Sequence, residues 1–197
     1  MTRTSSLLLV GLALASALGC ETQPNDAPQP WGHTSTRWGY DVTMPAGWAT
    51  FPASDVHERA EFTARRSQRL FMVLPTQMPE LPKLGADDVR RVQEQSVKQL
   101  ATQLGDVKIE RQGRLTIDGV PGYSVFLSGL VEKDGARGIY ILSYVYREPV
   151  FLQIVAYAPE AERDQLRREV DDILTTWRFL EPAKLDDPEP ETQDGTP

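Results

Sequence analysis

The chain has little of what most chemistry needs. It contains one cysteine, Cys20, and two histidines, His33 and His57. A lone thiol excludes an internal disulfide, so the core holds without covalent cross-links, which a domain of about 140 residues can do. No H-E-x-x-H and no clustered ligand set is present, so no metal site and no cofactor is expected. His57, in Asp55-Val56-His57-Glu58, is the one histidine beside carboxylates. It is a candidate base or ligand, with an ordinary surface histidine as the simpler reading. There is no G-x-S-x-G to hold a nucleophile. Gly113, Gly119, Gly122 and Gly129 stand in turns and strands and do not open a helix as a phosphate loop does. A basic excess is also missing. The net charge is −7, and it belongs to the ends: from Glu181 onward six acidic side chains face Lys184 alone. With no overall positive field, nucleic acid is not an expected partner. The longest apolar run, Leu7–Leu18, falls short of the roughly 18–20 residues that span a bilayer, which disfavours a retained transmembrane anchor.

What that run does form is an export signal. Arg3, the apolar stretch and the small residues before Cys20 have the order of a secretory leader. Ala17-Leu18-Gly19-Cys20 resembles the lipobox of bacterial lipoproteins. The resemblance implies cleavage after residue 19 and acylation of Cys20, palmitate-type chains included. Two or more chains give stable membrane residence where one is marginal. The alternative is Ala15-Ser16-Ala17, an A-x-A site for ordinary signal peptidase, whose use gives a secreted soluble protein. Residues 20–36 follow as a polar, Pro-rich linker, and Trp31 within it is a candidate to pack on the domain. Residues 181–197 are acidic and Pro-rich, the composition of a disordered tail.

Between them, residues 37–180 read as one domain. Tyr40, Val42 and Met44 alternate with polar residues as in a half-buried strand, and Pro45-Ala46-Gly47 turns the chain back to Trp48. Ala60–Ala64 and Leu70–Leu74 form two further strands, the second apolar on both faces and therefore central. Arg65, Arg66 and Arg69 gather where they join. Ala86–Leu104 has the stripe of an amphipathic helix, with Asp87 and Asp88 in its first turn and Gly105 ending it. Four strands then run from Val107 to Tyr157, turning at Asp118-Gly119, Asp134-Gly135 and Glu148-Pro149. Their short connections make them antiparallel neighbours. Pro159–Thr176 is a second helix with Leu166, Val170, Ile173, Leu174 and Trp177 inward, and Trp177-Arg178-Phe179 makes a short closing strand.

Three segments together, Tyr40-Asp41-Val42-Thr43-Met44-Pro45-Ala46-Gly47-Trp48, Gly119-Val120-Pro121-Gly122-Tyr123, and the last helix running into Trp177-Arg178-Phe179, make the chain resemble the PsbP-like family, its bacterial lipoprotein members above all. The resemblance spans about residues 38–180. It implies an α+β fold: an antiparallel sheet of about six or seven strands covered by helices on its faces, an α/β/α sandwich. It carries no common catalytic set, so no enzymatic activity is expected.

The function expected is a non-enzymatic binding or scaffold module of the bacterial cell envelope, held to the membrane by lipid on Cys20. The outer membrane, on its periplasmic or surface side, is the expected location, with an envelope protein as partner. The alternative is a ligand-binding lipoprotein with an apolar, aromatic pocket between helix and sheet for a lipid or small molecule. The candidate ligand or partner surface is Trp48, Tyr140 and Tyr144 with Arg65, Arg66 and Arg69. The tyrosines, with Tyr123, Tyr146 and Tyr157, suit a pocket wall if they share a face near Trp48. Ordinary packing under a helix is the simpler reading. The arginines suit an acidic docking partner or a solvated turn.

Overall fold

A computed structural model describes residues 28–53, 56–78, 86–131 and 135–181. Among these residues, ten strands and two α-helices follow in the order β1 (Trp31–Ser35), β2 (Tyr40–Met44), β3 (Ala49–Thr50), β4 (Phe62–Arg66), β5 (Arg69–Gln77), α1 (Ala86–Ala101), β6 (Leu104–Ile117), β7 (Val120–Val131), β8 (Arg137–Arg147), β9 (Val150–Pro159), α2 (Arg163–Thr176) and β10 (Arg178–Phe179). Seven strands form one antiparallel sheet in the order β3-β4-β5-β9-β8-β7-β6, and β1-β2-β10 form a second, smaller one.

The chemistry of the strands dictates the layers. β5, β8 and β9 are apolar on both faces and lie inside the large sheet, so both faces need cover. On one face Ile139, Ile141, Val145, Leu152 and Ile154 meet Leu166, Val170 and Ile173 of α2 together with Tyr40, Val42 and Met44 of the small sheet. On the other, Val125, Leu127, Leu142, Tyr144 and Val155 meet Val89 and Val97 of α1. The expected α/β/α sandwich is present, with the small sheet sharing one outer layer with α2. Trp177 closes that side. It is fully buried and stacks on Tyr40 with ring centroids 4.7 Å apart.

Two turns take the residues their backbone demands. Gly47 has φ of 84°, and the hydrogen bond from Trp48 N to Pro45 O (3.3 Å) closes the Pro45-Ala46-Gly47 corner. Asp118 (φ 47°) and Gly119 (φ 78°) both lie in the left-handed region, as a two-residue hairpin between right-twisted strands requires. Expected and observed boundaries differ by a few residues in β4 and β5, and by more in three other places. The helix α1 stops at Ala101, and Leu104 and Gly105 already pair with Val131 and Leu130 in β6. Pro159 ends β9, and a short 3-10 turn, Glu160–Glu162, precedes α2. The segment Trp31–Ser35, expected within the linker, is a strand: Trp31, Gly32, His33, Thr34 and Ser35 pair with Met44, Thr43, Val42, Asp41 and Tyr40. The linker expected over 20–36 is shorter by these residues, and Trp31 packs on the core. Its indole donates to Trp48 O at 2.7 Å.

Gly122, in the Pro121-Gly122-Tyr123 segment, shows what fixes the register of β7 on β8. It pairs with Val145, and any Cβ there would run into the backbone carbonyl oxygen of Tyr144. Gly122→Ala must therefore push two ladder strands apart, a form of overpacking that costs on the order of 1–3 kcal/mol. Urea unfolding should show that loss, and Gly119→Asn, at a position whose φ asparagine accepts, should show much less.

Candidate functional site

The aromatic and basic residues singled out by sequence fall into three separate places. Trp48 is 3% exposed and lies on the α2 side, edge-on to Phe71 with centroids 6.5 Å apart. Tyr140 and Tyr144 lie on the opposite, α1 side with Tyr123 and Tyr146. The tyrosines do share a face, but the sheet stands between them and Trp48, so the three do not line one pocket. Tyr144 has no exposed surface. Burial pushes its phenol up to about 12, with Ser96 of α1 pulling the other way. Tyr140 packs against Tyr157, centroids 5.1 Å apart. Gly138 makes room for that pair, since a Cβ there would stand 2.7 Å from a Tyr157 ring carbon. Burial raises the Tyr140 phenol as well, and Tyr157 adds to it. One shallow surface recess, lined by Trp38, Arg147, Glu148, Val150, Leu152 and Phe179, includes none of the predicted residues.

Two of the arginines are engaged within the fold, while Arg65 stays exposed. Arg69 is 4% exposed, with its Nη1 2.8 Å from Glu162 Oε2 and its Nε 3.1 Å from Glu169 Oε2. Arg66 donates through Nη1 to Glu169 Oε1 at 2.9 Å, and its guanidinium packs on Gly47. Arg65 donates to Ser67 O at 2.8 Å and lies over the Phe51 ring. The β4–β5 corner is thus bolted to α2. Arg69 is drawn inward because Glu169 is itself buried, and each charge makes the other tolerable.

A polar cluster that sequence reasoning did not find lies beneath the small sheet. Tyr40 of β2 donates its hydroxyl to Glu61 Oε2 in a short hydrogen bond. His33 of β1 places Nε2 at 3.5 Å from Glu61 Oε1 and stacks on Phe62, centroids 4.0 Å apart and planes 14° from parallel. Burial on its own would raise the Glu61 carboxyl. Hydrogen bonding from His33, Tyr40 and Ser35 outweighs burial and holds the group below the ordinary range. Burial first and the Glu61 charge second push the Tyr40 phenol far up. A base made weaker and an acid made weaker are the reverse of what proton transfer near neutral pH requires. The cluster fastens β1 to the domain. The available signal was the alternation of Trp31, His33 and Ser35 with Gly32 and Thr34, which the prolines upstream obscured.

His57, the other candidate, accepts from Arg59 N through Nδ1 at 3.1 Å. Burial, then the charge of Arg59, lowers it against the opposing pull of Glu58. It is therefore a neutral acceptor at pH 7. No group of three or more His, Cys, Asp or Glu suited to a metal occurs among the described residues. Cys20 lies outside the described residues.

No protein-family model and no curated protein sequence matches the chain. Solved structures do. Cyanobacterial PsbP from Synechocystis superimposes with a TM-score of 0.57 at 17% identity, over 82% of this chain and 98% of that one. The fold is PsbP-like. The same fold matches LpqN of Mycobacterium tuberculosis, a protein involved in cell envelope biogenesis, with a TM-score of 0.58 at 14% identity over 80% of this chain and 88% of that one. It also matches the Ran-binding protein Mog1p of Saccharomyces cerevisiae, with a TM-score of 0.53 at 7% identity over 78% and 97%. The PsbP-like sandwich therefore serves proteins of different roles, and these likenesses concern architecture alone.

Two expectations follow for the clusters. Glu169→Ala takes one of two carboxylates from the buried Arg69 and leaves Glu162 as its partner, a loss of about 1–3 kcal/mol. Replacing Arg69 and Glu169 together by Met and Leu should recover most of it in chemical unfolding. For Glu61, a carboxyl held low in the folded state stabilises above its unfolded value, near 4.5, and loses that contribution as pH falls through the lower folded value. The stability gap between the wild type and Glu61→Gln should be widest at pH 7 and shrink towards pH 3 in urea melts.

Proposed function

We propose that the protein is a non-enzymatic binding or scaffold module of the bacterial cell envelope, tethered through acyl chains on Cys20. The observation that carries this reading is Met1–Cys20, a leader ending in the chain's single cysteine, set before a domain whose polar clusters are committed to holding its layers together. Glu61 and Tyr40 are tuned away from proton transfer, and Glu169, Arg66 and Arg69 neutralise one another. Recognition then uses the outer surface and the long edge strand β6. The fold shared with LpqN supports an envelope setting. The outer membrane is the compartment proposed, with an envelope protein as the partner; export as a soluble protein through the Ala15-Ser16-Ala17 site is the competing outcome.

The test is Cys20→Ala in cells fed a labelled fatty acid. Label should disappear from the protein, and the protein should move from the membrane fraction to the soluble one. Unlabelled wild type, or a variant that stays with the membrane, would overturn the tether. Crosslinking in native envelopes, with the acylated protein as bait, then identifies the partner.

A further inference from the structure

The corner of the domain where the linker enters is poor in charge. Trp31 lies against the Pro45-Ala46-Gly47 turn: it pairs with Met44, and its indole donates to Trp48 O at 2.7 Å. The β3 edge of the large sheet follows directly, with Ala49 opposite Arg65 and Thr50 opposite Ala64. From Val42 to Ala53 the chain has no charged side chain, in a protein where charged residues make up 25%. Much of this stretch is nonetheless surface. Gly47, Ala49, Thr50 and Pro52 are exposed, and Trp31, Pro45, Ala46 and Phe51 are half-buried. Arg65, itself exposed, lies over the Phe51 ring with its guanidinium carbon 5.9 Å from the centroid. Arg66, beside Gly47, is neutralised by Glu169. Exposed sheet edges are ordinarily guarded by charge. On this one, small and aromatic residues stand where charges would be expected.

The two ends of the chain place this corner relative to Cys20. Trp31 stands eleven positions after Cys20. Even fully extended, a chain of that length reaches at most about 40 Å, on the order of the diameter of the domain itself. An anchor on Cys20 therefore brings the Trp31 corner closest to whatever it is anchored in. The acidic residues leave from the other end of β2. That strand runs from Met44, beside Trp31, back to Tyr40, which pairs with Phe179. Leu180 N then donates to Gly39 O at 2.9 Å. The six carboxylates of residues 181–197 follow from there, so the strongest negative charge starts away from the linker.

We propose that the surface formed by Trp31, Pro45, Ala49, Thr50, Phe51 and Arg65 is a docking face for the anionic lipid surface to which Cys20 is anchored. The inference rests on the tether reading and adds a fixed orientation to it. Uncharged residues approach the headgroups without stripping water from ions. Trp31 and Phe51 supply half-buried aromatic rings, the groups that suit the headgroup level. Arg65 faces lipid phosphate. One arginine and two aromatic rings are too little to hold a free domain on a membrane. The anchor makes the encounter intramolecular, and a weak contact is then enough to orient the domain.

The test uses the chain Cys20–Pro197, whose single thiol is coupled to a maleimide headgroup in vesicles of phosphatidylglycerol and phosphatidylethanolamine. Chemical coupling stands in for acylation, so a failed docking face is told apart from a failed tether. Amide hydrogen exchange is compared with that of the same chain coupled to a water-soluble maleimide. Amides of residues 46–51 and 64–66 should exchange about fivefold more slowly on the vesicles, the factor one arginine contributes near an anionic surface. Those of residues 147–150 should not change. Thr50→Glu with Arg65→Glu, both at exposed positions, should abolish the slowing while the α2 amides keep their rates. In the unsubstituted chain, phosphatidylcholine in place of phosphatidylglycerol should weaken it. Equal exchange on vesicles and in solution, slowing centred on residues 147–150, slowing that survives the double variant, or equal slowing on phosphatidylcholine would each overturn the proposal.

Discussion

Everything in this fold follows from strands that are apolar on both sides. β5, β9 and β8 stand side by side in the sheet, and neither face can be left to water. Burial of that surface contributes on the order of 25 cal/mol per Å². With a single cysteine in the chain, no disulfide adds to it. The two covers meet the demand by different means. On the α2 side, aromatic stacking and a buried ion cluster join parts of the chain far apart in sequence: Trp177 on Tyr40, and Glu169 on Arg66 and Arg69. On the α1 side, a narrow valine stripe lies over tyrosines. One layer is specified by directional contacts, the other mainly by apolar ones.

Most of the architecture was legible in the sequence. Period-two alternation gave β2 and β7, two-sided apolar runs gave the central strands, and the turns announced themselves through residues that tolerate positive φ. Gly47, Asp118 and Gly119 occupy such conformations. What could not be read was how faces meet. Alternation sorts the residues of one strand into two sets, but it does not say which set of a distant strand lies on the same side. Trp48 and Tyr144 could thus be imagined together, although the whole sheet separates them. The same limit hid the role of the arginines. Arg66 finds Glu169 across 103 residues, and nothing local marks either as a partner. β1 was obscured for a different reason: prolines upstream made its composition resemble a spacer, while its pairing depends on an alternation only five residues long.

The polar residues of the interior divide by what they do. Glu61, Tyr40, His33 and Ser35 close a gap between the small sheet and the start of β4. Glu169 and its arginines hold a helix. Each group pairs a carboxylate with partners from other elements of the fold. An architecture shared by proteins of quite different roles leaves its individuality to such places, where a few side chains depart from what packing alone would choose.

The docking of β1 also has a mechanical consequence. Any pull on the chain ahead of Trp31 enters the domain through this strand, whose ladder partner is β2. The load passes into the Trp31 bond to Trp48 O and the His33 contact with Glu61, and from β2 through Tyr40 and Trp177 to the heart of the molecule. Tension would thus be spread across a hydrogen-bonded ladder and an aromatic stack, away from β6 at the sheet's outer edge.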